Sequence, residues 1–412
     1  MTIQTFREAV ASVVKSGNCS GCGACAMIST RVTISLSTNG FMRPWVVDGG
    51  SVDESETLAL FLKVCPGRRV VAPTPDSPST VVHSTFGRAE AVWEAWAKDE
   101  ETHHRGSSGG VITALTIWYL AQNPGATATS IAASPTAPVR SIPVRITSRV
   151  EALAAAGSRY APASALAGVT SGTLPAVMSG KPCEMSALRQ LTVETGQEPP
   201  FMFSFFCAGT PSQGATDRLL EDFGMDKNAI TQLNYRGFGW PGSFFASDGN
   251  RIVSTPAVES WTEYFGPAVQ NRCKICVDGT GESADVAVGD YWHTDEKGNP
   301  IYTEASGRSV VIARTRRGRE LVEHAIQRGI LIAHPLDIEL VTGVQLHQRE
   351  RRRTLAARLL GRRFVGGTVP IYEGYRLRRR ILGAPIHAFR AFTGSVARGA
   401  PGEEFPPNQE SK

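Results

Sequence analysis

PAVMSGKPCEMSALR, residues 175–189, and FMFSFFCAGTPS, residues 201–212, decide the fold. Each is a short apolar run that ends in a cysteine. Pro175–Met178 reads as a strand running into Ser179-Gly180-Lys181-Pro182-Cys183, and Glu184 opens a helix carrying Met185, Leu188 and Leu191. Phe201–Phe206 reads as a second strand, ending at Cys207. Two successive strand–cysteine–helix units indicate a parallel α/β core with both cysteines at the carboxyl ends of strands, where open α/β sheets place their chemistry. Working outward, Ala89–Ala97 has strand-like content, Val111–Leu120 reads as a buried helix and Thr127–Ala133 as a strand. Downstream, residues 234–252 read as short strands and turns, with Asp248-Gly249-Asn250 as a hairpin signal. Ala284–Val288 and Ser309–Ala313 are further strands, and a helix runs from Gly318 to about Arg328.

Cysteine spacing carries the chemistry. Cys19-x-x-Cys22-x-x-Cys25 with the distant Cys65-Pro66 makes one set of four, and Cys183, Cys207, Cys273 and Cys276 make another, which uses all 8 cysteines. Two sets of four thiolates match two 4Fe-4S clusters. Gly21 and Gly23 let the backbone wrap closely around a cluster. Zinc competes for either set, because four thiolates also suit it. Taken singly, Cys183 and Cys207 also fit buried apolar positions, and Cys273-x-x-Cys276 also fits a redox pair. Upstream of the core, a helix over residues 1–15, a hairpin of Arg31–Leu36 with Phe41–Val47, and a helix over Glu54–Val64 form a small ferredoxin-like cluster lobe.

Composition sets the bounds. With 412 residues, 42% of them hydrophobic and 20% charged, the chain folds around a full core. No secretory signal and no span long enough for a bilayer are evident, so a soluble cytoplasmic setting is expected, where thiols stay reduced for ligation. The net charge of +5 is unevenly placed: Arg349, Arg351, Arg352, Arg353, Arg358, Arg362 and Arg363 crowd one segment, followed by Arg376, Arg378, Arg379 and Arg380. No aromatic platform or binding motif accompanies them, so nucleic acid is not expected. The segment reads as a peripheral helix with a solvated basic face, or as a field for an acidic redox partner such as ferredoxin.

Between these regions lies the stretch His103-His104-Arg105-Gly106-Ser107-Ser108-Gly109-Gly110. It has the composition of a phosphate- or ring-binding turn at a helix N-terminus, with Arg105 available to neutralise a pyrophosphate. A tight turn with a surface arginine is the plainer alternative. His103 and His104 are candidate proton donors. Asp290 is either a strand-end cap or a group facing a cofactor crevice, and Tyr291, Trp292 and Trp240 could stack on a ring or fill the core.

Taken in order, these motifs resemble the iron–sulfur flavoprotein family of the beta subunit of deazaflavin-reducing hydrogenases and dehydrogenases. That family includes 7-hydroxymethyl chlorophyll a reductase and ferredoxin-dependent divinyl chlorophyllide reductase. Ser107–Leu115 is similar to its Ser-Gly-Gly-initiated helix, Gly180–Arg189 to its Gly-x-Pro-Cys-Gln-x-x-Ala-Leu-Arg element, and Phe206–Ser212 to its Cys-His-Gly-x-Pro-Ser turn. Cys273-x-x-Cys276 followed by Ala284–Trp292 completes the resemblance. Glu184 stands where glutamine is usual and Ala208 where histidine is usual. The resemblance implies FAD and 4Fe-4S clusters, with Cys183, Cys207, Cys273 and Cys276 around one of them. The candidate flavin contacts are then Arg105, Gly106, Ser107, Ser108, Gly109, Gly110, Thr113, Gly289 and Asp290, and the catalytic candidates are His103, His104 and Asp290.

The expected organisation is an N-terminal cluster lobe over residues 1–75, a parallel-sheet α/β core holding FAD and the second cluster over 85–345, a basic helical region over 346–399 and a flexible tail over 400–412. The expected activity passes electrons from ferredoxin or a similar donor through the clusters and FAD to a small organic substrate. The alternative is a deazaflavin oxidoreductase subunit of a hydrogenase or dehydrogenase complex. Assembly into a homo-oligomer is compatible with either.

Overall fold

The computed structural model describes residues 5–47, 54–75, 80–169, 172–294, 301, 305–377, 385–400 and 402–403. Arg378, Arg379, Arg380 and most of the expected tail lie outside these residues.

An eight-stranded sheet forms the centre, in the order Leu331–Pro335, Ala91–Ala97, Ser309–Ala313, Val286–Asp290, Phe201–Phe205, Val177–Gly180, Ala128–Ala133 and Ser141–Ile146. The strands Val286–Asp290, Phe201–Phe205, Val177–Gly180 and Ala128–Ala133 run parallel, as the two strand–cysteine–helix units require. Both flanks are antiparallel. The protein is α/β, as expected.

Strand alternation sorts the core into two layers. Val177 and Phe203 face one side, packing with Leu115, Val286, Val311 and Val322. Their neighbours Met178 and Met202 face the other, against Met185, Leu188 and Leu191 of the helix Pro182–Thr195. The helix Val111–Gln122 is apolar on nearly every side and accordingly buried.

The N-terminal lobe packs on the second layer, where Cys22, Ala24, Met27 and Val64 join the same apolar cluster as Met178 and Met185. It contains the helix Phe6–Lys15, closed by a Thr5/Glu8 capping box, the hairpin Val32–Leu36 with Met42–Val46, and the helix Ser55–Val64. Lys63 pairs with Glu194 at 2.7 Å across the junction. The anticipated hairpin around Asp248-Gly249-Asn250 is present, joining Ser243–Ser247 to Ile252–Pro256.

The basic C-terminal segment departs from expectation. Helix Leu346–Phe364 does not lie at the periphery with a solvated face. Gln348, Arg351, Arg352, Leu355, Leu359 and Arg362 are buried, and their 3–4 spacing makes one stripe directed into the protein. Arginine count alone concealed this, because backbone carbonyls inside the fold, and not carboxylates, satisfy most of these guanidiniums.

Candidate functional site

A cavity of about 540 Å³ opens at the carboxyl ends of the parallel strands. That volume is within the range of small-molecule sites, about 300–1,000 Å³. Ser179–Lys181, Phe205–Cys207 and Val288–Asp290 bring the ends of three neighbouring strands to its wall. Gly106, Ser107, Ser108, Gly110 and Thr113 line another part of it. Gly110 is left-handed at φ +68°, and a Cβ there would meet Thr102 O at 2.5 Å. This tight turn starts the helix Val111–Gln122 without a side-chain cap, so the first-turn N–H groups have no side-chain acceptor. Gly109 lies under the turn instead, its N–H donating to Ser309 Oγ at 2.9 Å and its carbonyl accepting from Ala97 N at 2.7 Å.

The expected turn is shorter than its sequence suggested. His103, His104 and Arg105 lie on a short helix, Glu100–Arg105, and none of the three lines the cavity. His103 Nε2 lies 2.7 Å from Gly307 O, His104 meets Phe238 edge-on, and Arg105 pairs with Glu101 at 3.2 Å. Asp290 does reach the cavity, and Arg236 donates to its Oδ2 at 2.6 Å. Burial works against the Arg236 charge, but the Asp290 carboxylate outweighs it and holds the guanidinium firmly protonated. Trp292 is also in the wall, backed by Trp240 with ring centroids 4.0 Å apart. Tyr291 turns away, packing beside Phe86 and Val310.

Lys181 and Glu184 form a buried pair at 2.9 Å on the cavity wall. Glu184 also accepts from Lys181 N at 2.7 Å and Ala165 N at 2.9 Å. A carboxylate, where glutamine is usual, thus gives Lys181 its counter-charge; burial opposes the ammonium, and Glu184 restores it. His347 also lies in the cavity wall, within 2.8 Å of Arg351. Desolvation on its protein-facing side, with the Arg351 and Arg358 charges, lowers its imidazole below the ordinary histidine value, so it is neutral near pH 7 although the residue itself stays exposed. Lys181 lay inside a quoted motif without being singled out, whereas His347 and Arg236 carried no motif that could have marked them.

The cysteines converge as two groups. Cys19, Cys22, Cys25 and Cys65 share one small pocket whose other walls include Val10, Val13, Ile28, Ile34 and Phe61. Gly21 and Gly23, at φ +69° and +89°, form its backbone turn, and a Cβ on Gly23 would lie 2.6 Å from Ala167 N. Burial pushes the Cys22 thiol up to about 11 and raises Cys19, Cys25 and Cys65 as well. Such thiols are poor redox nucleophiles and are ionised only by a bound cation.

In the second group, burial with the charges of Cys273 and Cys276 pushes Cys207 up to about 12. Thr210 N, three residues after Cys207, lies 3.4 Å from Cys273 Sγ, and Cys276 Sγ donates to Asp278 O at 3.0 Å. Burial also raises Cys183, which lies within electrostatic reach of Cys207 on one side and of Cys22 on the other. The two groups are therefore neighbours. Gln270 bridges them, donating to Ser20 O at 3.1 Å and contacting Cys273 Sγ at 3.5 Å. Among the described residues no three His, Cys, Asp or Glu side chains gather closely enough for a single metal ion. Four thiolates suit zinc or an iron–sulfur cubane alike, and a largely apolar surround such as that of the N-terminal quartet accommodates a cubane. The donor chemistry and the surrounding shell therefore fit iron–sulfur clusters.

Fold and site define an α/β protein in which Cys207 reaches the central cavity and four other cysteines line a separate small pocket. Residues 92–170 match the N-terminal part, and residues 176–339 the C-terminal part, of the family described as the coenzyme F420 hydrogenase/dehydrogenase beta subunit. Together these matches span more than half of the chain, which belongs to this family of redox-enzyme subunits. A chain of the F420-reducing NiFe hydrogenase complex from Methanosarcina barkeri has the same fold, with a TM-score of 0.55 and 18% identity over 72% of this chain and 99% of that one. No curated protein matches the sequence. No helix among the described residues is long and apolar enough to cross a membrane.

Proposed function

We propose that the chain is an iron–sulfur flavoprotein oxidoreductase. It would hold one 4Fe-4S cluster on Cys19, Cys22, Cys25 and Cys65, a second on Cys183, Cys207, Cys273 and Cys276, and FAD in the cavity. The observation that carries this reading is the adjacency of an apolar pocket holding four thiols, a second thiol group and a larger cavity that Cys207 itself reaches. When bound, the clusters supply one-electron transfer and the flavin supplies exchange between one- and two-electron chemistry.

The chain's own residues supply binding and orientation. Ser107, Ser108 and the uncapped first turn after Gly110 would hold the anionic part of the cofactor, as helix N-termini do. Trp292 offers a flat wall for a ring. Asp290, fixed by Arg236, presents a carboxylate at a strand end and is the group we assign to orient the substrate. Neutral His347 and the Lys181–Glu184 pair complete the polar lining.

A ferredoxin-type donor and a small organic acceptor fit this arrangement, with the exposed Arg390 and Arg398 available to an acidic carrier. The family itself favours a second reading: its description names coenzyme F420, which makes a deazaflavin the two-electron partner and the chain one subunit of a hydrogenase or dehydrogenase. Anaerobic purification followed by acid release tests the shared core of both. FAD and about eight irons per chain are expected for two cubanes, whereas FMN, no flavin or half that iron removes the corresponding part. Stopped-flow mixing with reduced ferredoxin, or with reduced F420, then separates the two readings by which one bleaches the flavin.

A further inference from the structure

Helix Leu346–Phe364 lies beyond both family-matched segments, yet it grips cysteine-bearing segments that are far apart in sequence. Gln348 Nε2 donates to Cys207 O at 3.3 Å, and Arg351 donates to Cys207 O at 2.9 Å and to Ala208 O at 2.5 Å. Arg352 donates to Val277 O, one residue past Cys276, and pairs with Glu282 at 2.6 Å. Arg358 donates to Lys274 O at 3.2 Å, one residue past Cys273. Arg362 reaches Ser16 O at 2.5 Å and Asn18 Oδ1 at 3.0 Å, immediately before Cys19.

These arginines are not equivalent electrically. Arg352 is neutralised by Glu282, while Arg358 and Arg362 meet carbonyls and an amide. Arg351 contacts two carbonyls and the ring of neutral His347 at 2.8 Å, and no carboxylate pairs with it among the described residues. It is 5% exposed, so its charge is poorly screened by water. That charge bears on both Cys207 and Cys276.

We infer that Arg351 is a positioning residue that sets the reduction potential of the second cluster, holding the Cys207 turn in place and placing an uncompensated positive charge beside it. The inference rests on the second cluster being carried by Cys183, Cys207, Cys273 and Cys276. Reduction adds negative charge to that cluster, and a buried guanidinium favours the more negative state. Loss of the charge therefore lowers the potential.

An EPR-monitored redox titration of the anaerobically purified holoprotein tests this with three variants. Arg351→Gln is expected to lower the second cluster's reduction equilibrium constant at least tenfold, a shift of about 59 mV to more negative potential for a one-electron couple. Arg351→Lys keeps the charge and is expected to stay close to the wild-type potential. Exposed Arg363→Gln, on the same helix, is expected to leave it in place. A two-cluster Arg351→Gln protein titrating at the wild-type potential would overturn the inference. If Arg351→Gln fails to retain the second cluster, Arg351→Lys decides, and a shift as large as tenfold in that variant counts against a charge effect. Wild-type protein carrying a single cluster would instead overturn the underlying cluster assignment, a result distinguishable by iron content alone.

Discussion

Replacing Asp285 by alanine should unfasten the scaffold that presents both strand-end cysteines. Asp285 is fully buried, and its carboxylate accepts from Met202 N at 2.9 Å, Arg189 Nη2 at 3.0 Å, Thr315 Oγ1 at 2.8 Å, and Arg317 Nε and Nη2 at 3.0 and 2.5 Å. It thereby ties the strand Phe201–Phe205, which ends beside Cys207, to its own strand and to the helices Pro182–Thr195 and Arg316–Gln327. Removing one partner of a buried ion pair costs about 3–5 kcal/mol, because the other charge is left uncompensated. Arg317 is 29% exposed and keeps Pro199 O and Pro200 O as acceptors, which places the expected loss near the lower end, about 3 kcal/mol. Against a typical total of about 5–15 kcal/mol, that is a large fraction.

Urea denaturation followed by far-ultraviolet circular dichroism measures this loss as a fall in midpoint at unchanged slope. Exchanging Arg189 for methionine in the same chain should recover part of it, since one stranded charge is then gone. The pH dependence has a definite sign. Burial raises the Asp285 carboxyl, but the Arg317 hydrogen bond and the Arg189 and Arg317 charges outweigh it and hold it below the ordinary carboxylate range. The stabilisation is therefore complete above the unfolded-state value of about 3.9 and disappears as pH falls through the lower folded-state value. Wild-type and Asp285→Ala stabilities should converge on acidification. A loss under about 1 kcal/mol at neutral pH, or a difference that grows in acid, would refute the reasoning.

Two further outcomes follow from the site. Gly110→Ala forces a Cβ into a left-handed position against Thr102 O, which should cost about 1–2 kcal/mol and strip flavin from the purified protein; a melting curve and flavin absorbance check both. Cys276→Ser should abolish the second cluster's spectrum while the N-terminal quartet keeps its own, as seen by iron content and EPR.

The parallel centre of the sheet was legible because two apolar runs each ended in a cysteine and led into a helical pattern. On its antiparallel flanks, Ala91–Ala97 and Ser309–Ala313 were legible as strands, but the two edge strands were not. Leu331–Pro335 is mostly exposed, and Ser141–Ile146 carries Pro143 and Arg145, so neither shows the alternation of a half-buried strand. Cysteine spacing marked out which thiols to compare, and Cys19, Cys22, Cys25 and Cys65 do line one pocket. The polar wall was harder. His103 and His104 looked chemical but sit on a short helix outside the cavity wall, while His347 reaches the cavity from a segment whose arginines suggested a solvated face or a docking field for an acidic partner. Burial of a guanidinium among carbonyls leaves no mark on composition.

Iron-edge anomalous diffraction from anaerobically grown crystals tests the central assignment most directly. Two compact groups of iron are predicted, one among Cys19, Cys22, Cys25 and Cys65 and one among Cys183, Cys207, Cys273 and Cys276. A single zinc-edge peak in either quartet, or no metal density at the second, would contradict it.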